Sequence, residues 1–133
     1  MNKLKTFVVE DSSIILENLT QALHENTPVE VVGTAEDESS ALSWLRSPLH
    51  ACDLVIVDIF LKAGSGLGVL KGLAGEGRRP LRVVLSNHAT PEIRAKCAEL
   101  GADKVFDKSN EIDEMFGYLN RAAGVAPAAL GAA

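Results

Sequence analysis

The stretch LVIVDIFLKAGSG, Leu54 to Gly66, decides the fold of this chain. Its first four residues, Leu54 to Val57, are all apolar, and a run that short bounded by turn residues reads as a fully buried strand. The run stops on a carboxylate, Asp58, and passes into a loop containing Gly64 and Gly66. A buried strand that delivers an acid to its tip asks for a chemical reason.

Working outward, similar runs recur at Thr6 to Val9, Glu30 to Ala35, Leu81 to Leu85 and Lys104 to Phe106. Helical patterns lie between them. Ile15, Leu19 and Leu23 share one helix face, as do Ile93, Cys97 and Leu100, and Ile112, Phe116 and Leu119. The segments Ser39 to Leu45 and Gly66 to Leu73 are expected to be helical as well. Thr90 is placed to cap a helix with Pro91 in its first turn and Gly101 at its end, and Ser109 is placed to cap the last helix. Alternating strands and helices with nearly all-apolar strands predict an α/β fold: a doubly wound, five-stranded parallel sheet with helices on both faces. The domain is expected to span residues 1–121, leaving 122–133, which carry no charge and no period, as a frayed helical extension or linker stub.

Composition sets outer limits. A chain of 133 residues fits a single core, and 47% apolar with 23% charged residues is ordinary for a globular protein. A net charge of −5 supplies no basic footprint, so no direct contact with nucleic acid is expected. No apolar stretch reaches membrane-spanning length and the N-terminus lacks a signal-peptide pattern, so no membrane association and a cytoplasmic location are expected. Cys52 and Cys97 form no Cys-x-x-Cys pair and are read as reduced packing residues, and His24, His50 and His88 have no zinc-ligand spacing.

In a doubly wound sheet, ligands bind beyond the carboxyl ends of the strands, where strand order reverses. Asp58 falls there. Glu10 and Asp11 follow the first strand, Ser86 and Asn87 close the fourth, and Lys108 follows the fifth, so all converge on one edge. Three carboxylates gathered without partners repel one another unless a cation sits among them. Mg²⁺ suits the set, because it takes oxygen ligands and keeps coordination positions for an incoming phosphate.

These residues resemble the receiver domains of bacterial response regulators, the chemotaxis-regulator-like fold of two-component signalling. The likeness runs from Lys5 to about Arg121. It rests on Glu10 and Asp11 after the first strand, Asp58 after the third, Ser86 at the fourth, Phe106 on the fifth and Lys108 just beyond. The resemblance implies a phosphorelay function rather than an enzyme acting on a separate substrate. Asp58 would accept a phosphoryl group from a sensor histidine kinase or histidine phosphotransfer protein. Asp11, Asp58 and the backbone carbonyl of Phe60 would hold Mg²⁺, with Glu10 acting through water. Lys108 and Ser86 would contact phosphoryl oxygens, and Ser86 with Phe106 would switch a partner surface, the ring moving inward. Phe60 and His88, each two residues beyond a site residue, would modulate hydrolysis. The output would be a downstream effector or an output domain absent from this chain, and VVGTAED, Val31 to Asp37, is similar to receivers that precede helix-turn-helix output domains.

Some positions depart from the family pattern. Lys62 stands where proline is frequent, so the loop after Asp58 is expected to be more mobile. Glu10 and Ser86 are variants of commoner Asp and Thr, and Phe106 has no hydroxyl to bond at its tip. A dinucleotide loop at Gly64 to Gly68 is a poor rival, since the third glycine would fall on Val69. An aspartate-nucleophile phosphatase would want a second Asp where Phe60 stands. The remaining alternative is a receiver-like interaction module that no longer uses phosphorylation.

Overall fold

The computed structural model describes residues 3–74 and 80–124. Among the described residues ten elements alternate: β1 (Leu4–Val9), α1 (Ser13–Asn26), β2 (Val29–Ala35), α2 (Glu38–Arg46), β3 (Leu54–Val57), α3 (Gly66–Leu73), β4 (Leu81–Ser86), α4 (Pro91–Glu99), β5 (Lys104–Asp107) and α5 (Ile112–Ala122). The strands form one parallel sheet in the order β2-β1-β3-β4-β5. The chain therefore winds outward from β1 to β2, returns to β3 on the other side, and leaves its switch point between β1 and β3.

The helices cover both faces because strand side chains alternate. Leu54 and Ile56 of β3 join Leu19, Leu23, Met115 and Leu119 under α1 and α5, while Val55 and Val57 join Ala41, Val69 and Leu73 under α2 and α3. Cys97 of α4 closes a third cluster with Ile59, Leu70 and Val84. Every β3 side chain is buried, whereas edge strand β2 alternates buried and more exposed positions. Burial on both faces explains why only the central strands read as unbroken apolar runs. Each such Val, Leu or Ile contributes about 1.5–3 kcal/mol relative to exposure.

Local chemistry sets most of the ends. Ser12, Asp37, Ser65 and Thr90 each accept a backbone N–H in the first turn of the helix that follows. Pro91 begins α4, and Gly101 beyond its end takes φ +99°, a conformation that favours glycine. Ser109 does not cap α5. The residue preceding that helix is Glu111, and Asp107 Oδ1 instead accepts the N–H groups of Ser109 and Asn110, closing a tight turn that uses up the geometry a serine cap needs. The expected tail, residues 122–133, begins in the last turn of α5, and from 125 onward it lies outside the described residues. No helix among the described residues is long and apolar enough to cross a membrane.

Candidate functional site

The backbone of the site continues the sheet past its strands. Asp58 N donates to Val9 O at 3.0 Å, Glu10 N to Ala35 O at 2.9 Å, and Lys108 N to Ser86 O at 2.9 Å. Each residue is thus held by a ladder-type bond one step beyond the regular element, and their side chains meet at the switch point. Glu10 is 4% exposed and Asp58 9%, so both carboxylates sit in a largely dry environment.

Carboxylate oxygens of Glu10, Asp11 and Asp58 all lie within 4.8 Å of one another. Lys108 Nζ donates to Glu10 Oε1 at 2.8 Å and to Asp58 Oδ2 at 2.9 Å. Burial pulls the Lys108 ammonium toward deprotonation, but the bonds from Glu10 and Asp58 outweigh it and hold its pKa above the ordinary lysine value. Burial also raises the Glu10 carboxyl, and the bonds from Lys108 and the Ser12 N–H recover only part of that shift. With the carboxylates ionised, three negative charges face one positive charge. The residual charge of about −2 and an all-oxygen donor set fit a hard divalent cation. A cavity of about 340 Å³ opens beside Glu10 and Asp11 and is bordered by Glu36 and Asp37, which keeps its rim acidic.

The other predicted residues divide. Ser86 is fully buried, and its Oγ accepts the His88 N–H at 3.1 Å, which leaves the hydroxyl hydrogen available for donation. Phe60 N donates to Asp58 Oδ1 at 3.3 Å, and its ring, 53% exposed, meets the His88 imidazole edge to face with centroids 5.5 Å apart. Phe106 is only 8% exposed and packs at a tilt against Tyr118, with Leu85 and Met115 in the same cluster. The ring thus already faces inward in this structure, since an aromatic side chain without a hydroxyl is buried in an apolar cluster at no polar cost.

Two contacts had no sequence signal. Glu38 Oε1 accepts the Ser65 N–H at 3.0 Å across 27 residues, and Arg94 reaches Glu111 at 2.7 Å as well as the carbonyls of Ala89 and Val105. Side-chain direction sets both, and periodicity does not reveal it.

Fold and site together define a doubly wound α/β protein with a buried acidic cluster and a bridging lysine at its switch point. The chain matches the response regulator receiver domain over residues 6–120, and it belongs to that family. It is thus a receiver of two-component signalling, its acidic cluster fits a phosphoacceptor site, and the family implies a divalent metal and a kinase or phosphotransfer partner. Among solved structures it is similar to the signal receiver domain of NarL from Mycobacterium tuberculosis, at TM-score 0.81 and 22% identity over 93% of this chain and 98% of that one. It is also similar to the phosphorylated cyanobacterial phytochrome response regulator RcpA, at TM-score 0.73 and 26% identity over 98% and 96% of the two chains. A protein-glutamate methylesterase/protein-glutamine glutaminase of Koribacter versatilis is 29% identical over 110 residues, 81% of this chain and 30% of that protein. The chain spans less than a third of the length of such curated relatives.

Proposed function

We propose that Asp58 is the phosphoacceptor of this receiver and that Mg²⁺, held by Asp11, Asp58 and the Phe60 carbonyl with Glu10 through water, is its cofactor. The observation that carries this reading is the double contact of Lys108 with Asp58 and Glu10 inside the acidic cluster. An Asp58 oxygen attacks the phosphorus of a phosphohistidine, forming a P–O bond as the P–N bond breaks. The departing imidazole keeps that electron pair and takes a proton from solvent. Phosphoryl transfer depends on positioning and on neutralising the equatorial oxygens. The Lys108 ammonium contacts one of them, and the Ser86 hydroxyl donates to a second. The cation, when bound, offsets the charge that the carboxylates and phosphoryl group bring together.

The phosphodonor is a sensor histidine kinase or a histidine phosphotransfer protein, and the surface that responds is the α4 to α5 face beside Ser86. The chain's own catalysis is then confined to taking up and losing this phosphoryl group, and any further activity belongs to an effector or to an output domain such as its longer relatives have room for. Transfer of label from a small-molecule phosphodonor with and without chelator tests the reading. The expected result is Mg²⁺-dependent labelling of the parent and none of Asp58→Asn; undiminished labelling of that variant would overturn it.

A further inference from the structure

The loop between β3 and α3 must carry the Phe60 carbonyl to the cation without the proline frequent at the Lys62 position, and the structure shows what holds it instead. Phe60 and Ser65 pair as an antiparallel bridge, and Gly66 N donates to Ile59 O at 2.9 Å, so residues 60–65 close into a small hairpin. The inner end of that hairpin sits on the Asp58 backbone. A Cβ on Gly66 would lie 2.2 Å from the Asp58 carbonyl oxygen.

The outer end is held from α2. Glu38 N donates to Ala63 O at 3.3 Å, and Glu38 Oε1 accepts Ser65 N–H at 3.0 Å. Two glycines make room for this contact. A Cβ on Gly64, which has φ +75°, would lie 2.5 Å from Glu38 Cβ, and one on Gly68 would lie 2.2 Å from Glu38 Oε1. The half-buried Glu38 thus lies across the start of α3, and the backbone atoms that it fixes are paired directly with Phe60.

We infer that Glu38 is a positioning residue for phosphoryl acceptance: it holds the hairpin after Asp58 so that the Phe60 carbonyl is aimed at the cation site before any cation arrives. This inference rests on the phosphoacceptor reading above. Preorganised donors spare the reorganisation that a loose loop would need on binding. Loss of the clamp therefore weakens the cation first and leaves the saturated rate less affected.

Two variants remove the clamp by different routes. Glu38→Ala deletes the acceptor, whereas Gly68→Ala keeps the carboxylate and pushes its flexible end away, a change the fold tolerates. The Mg²⁺ concentration for half-maximal labelling by acetyl phosphate is expected to rise roughly three- to tenfold in either, the worth of one such hydrogen bond. Glu38→Gln, which retains an acceptor oxygen, is expected within about twofold of the parent by the same reasoning. Gly68→Ala is expected to add nothing in the Glu38→Ala background. Amide exchange of Ser65 in the metal-free protein supplies a readout independent of labelling; it should speed up in both clamp-free variants and stay slow with Gln. Unchanged Ser65 exchange in Glu38→Ala, or a full Gly68→Ala effect in that background, would overturn the inference. A parent that takes no label would refute the phosphoacceptor reading, and Ser65 exchange would then decide the clamp by itself.

Discussion

Lys108 Nζ lies 2.9 Å from Asp58 Oδ2, so the proposed nucleophile already carries a positive partner in the unphosphorylated protein. The same ammonium bonds Glu10, and both acidic residues are buried. Removing it would leave buried negative charge uncompensated.

Lys108→Met, which keeps much of the volume, is accordingly expected to have two opposite effects. Without divalent cation the variant should lose stability, by up to about 3 kcal/mol, because two buried carboxylates lose their partner. Its cation affinity should rise by about tenfold, since one unit charge a few ångströms away is worth at most roughly 4 kcal/mol at an effective dielectric near 20 and solvent screens part of that. Calorimetric titration with Mg²⁺ beside melting in chelator measures both. Equal or weaker cation binding by the variant would show that Lys108 does not share the charge of this cluster.

Ser86→Ala is expected to leave Asp58 able to take label while uncoupling the response. The Ser86 hydroxyl is buried and pinned by the His88 N–H, so it is the group placed to report a new phosphoryl to the start of α4. Phe106 already lies inward in the unphosphorylated structure. Couplings of this kind are worth roughly 1–3 kcal/mol, a five- to 150-fold shift between states. Amide shifts on α4 and α5 after phosphorylation should shrink in the variant. Full-sized shifts would assign the coupling elsewhere.

What the sequence makes legible follows from what periodicity encodes. β3 is found at its observed bounds, Leu54–Val57, because burial on both faces leaves no polar residue inside it and an acid at its end. α3 also begins and ends at its expected bounds, Gly66 and Leu73. Glu10, Asp58 and Lys108 are legible because parallel strands bring consecutive carboxyl ends to one edge. Ser109 misleads because residue type alone does not show that Asp107 has already closed the turn. The Glu38 and Arg94 contacts depend on side-chain direction across 27 and 17 residues, and the buried setting of Phe106 depends on packing with Tyr118.

The Arg94 to Glu111 pair joins the start of α4 to the start of α5 and yields a pH prediction. The Arg94 guanidinium, aided by the Asp107 N–H, holds the Glu111 carboxyl below its ordinary value. A folded-state pKa lowered in this way contributes stability that is present above the unfolded carboxylate pKa and lost as pH falls through the lower folded one. The parent should therefore exceed Glu111→Gln in urea midpoint at pH 7, and the difference should begin to shrink as pH falls through the ordinary glutamate value, about 4.3, and be lost once pH drops below the lowered folded-state one. Curves that stay parallel into strong acid would mean that the pair contributes no charge-dependent stability.

The duration of the signal is expected to depend on the ring pair beside Asp58. Hydrolysis needs a water in line with the bond between phosphorus and the Asp58 oxygen. Phe60 and His88 meet edge to face, and the Phe60 backbone N–H is tied to Asp58 Oδ1, so the Phe60 ring is carried close to the acceptor. A benzyl side chain neither donates to nor accepts from water and acts on that path by exclusion. The imidazole opposes it in sign, because it is able to orient a water, but it is anchored through a backbone bond to Ser86 rather than to Asp58. Phe60→Asn replaces the excluding ring with an amide that orients water, and phosphoryl loss should quicken by about tenfold, close to 1.4 kcal/mol of barrier. His88→Ala, which removes the ring partner but not the Phe60 ring, should change the rate less. Decay of label after donor removal measures both rates, and a Phe60→Asn protein that held its phosphoryl as long as the parent would assign the control of water to His88 instead.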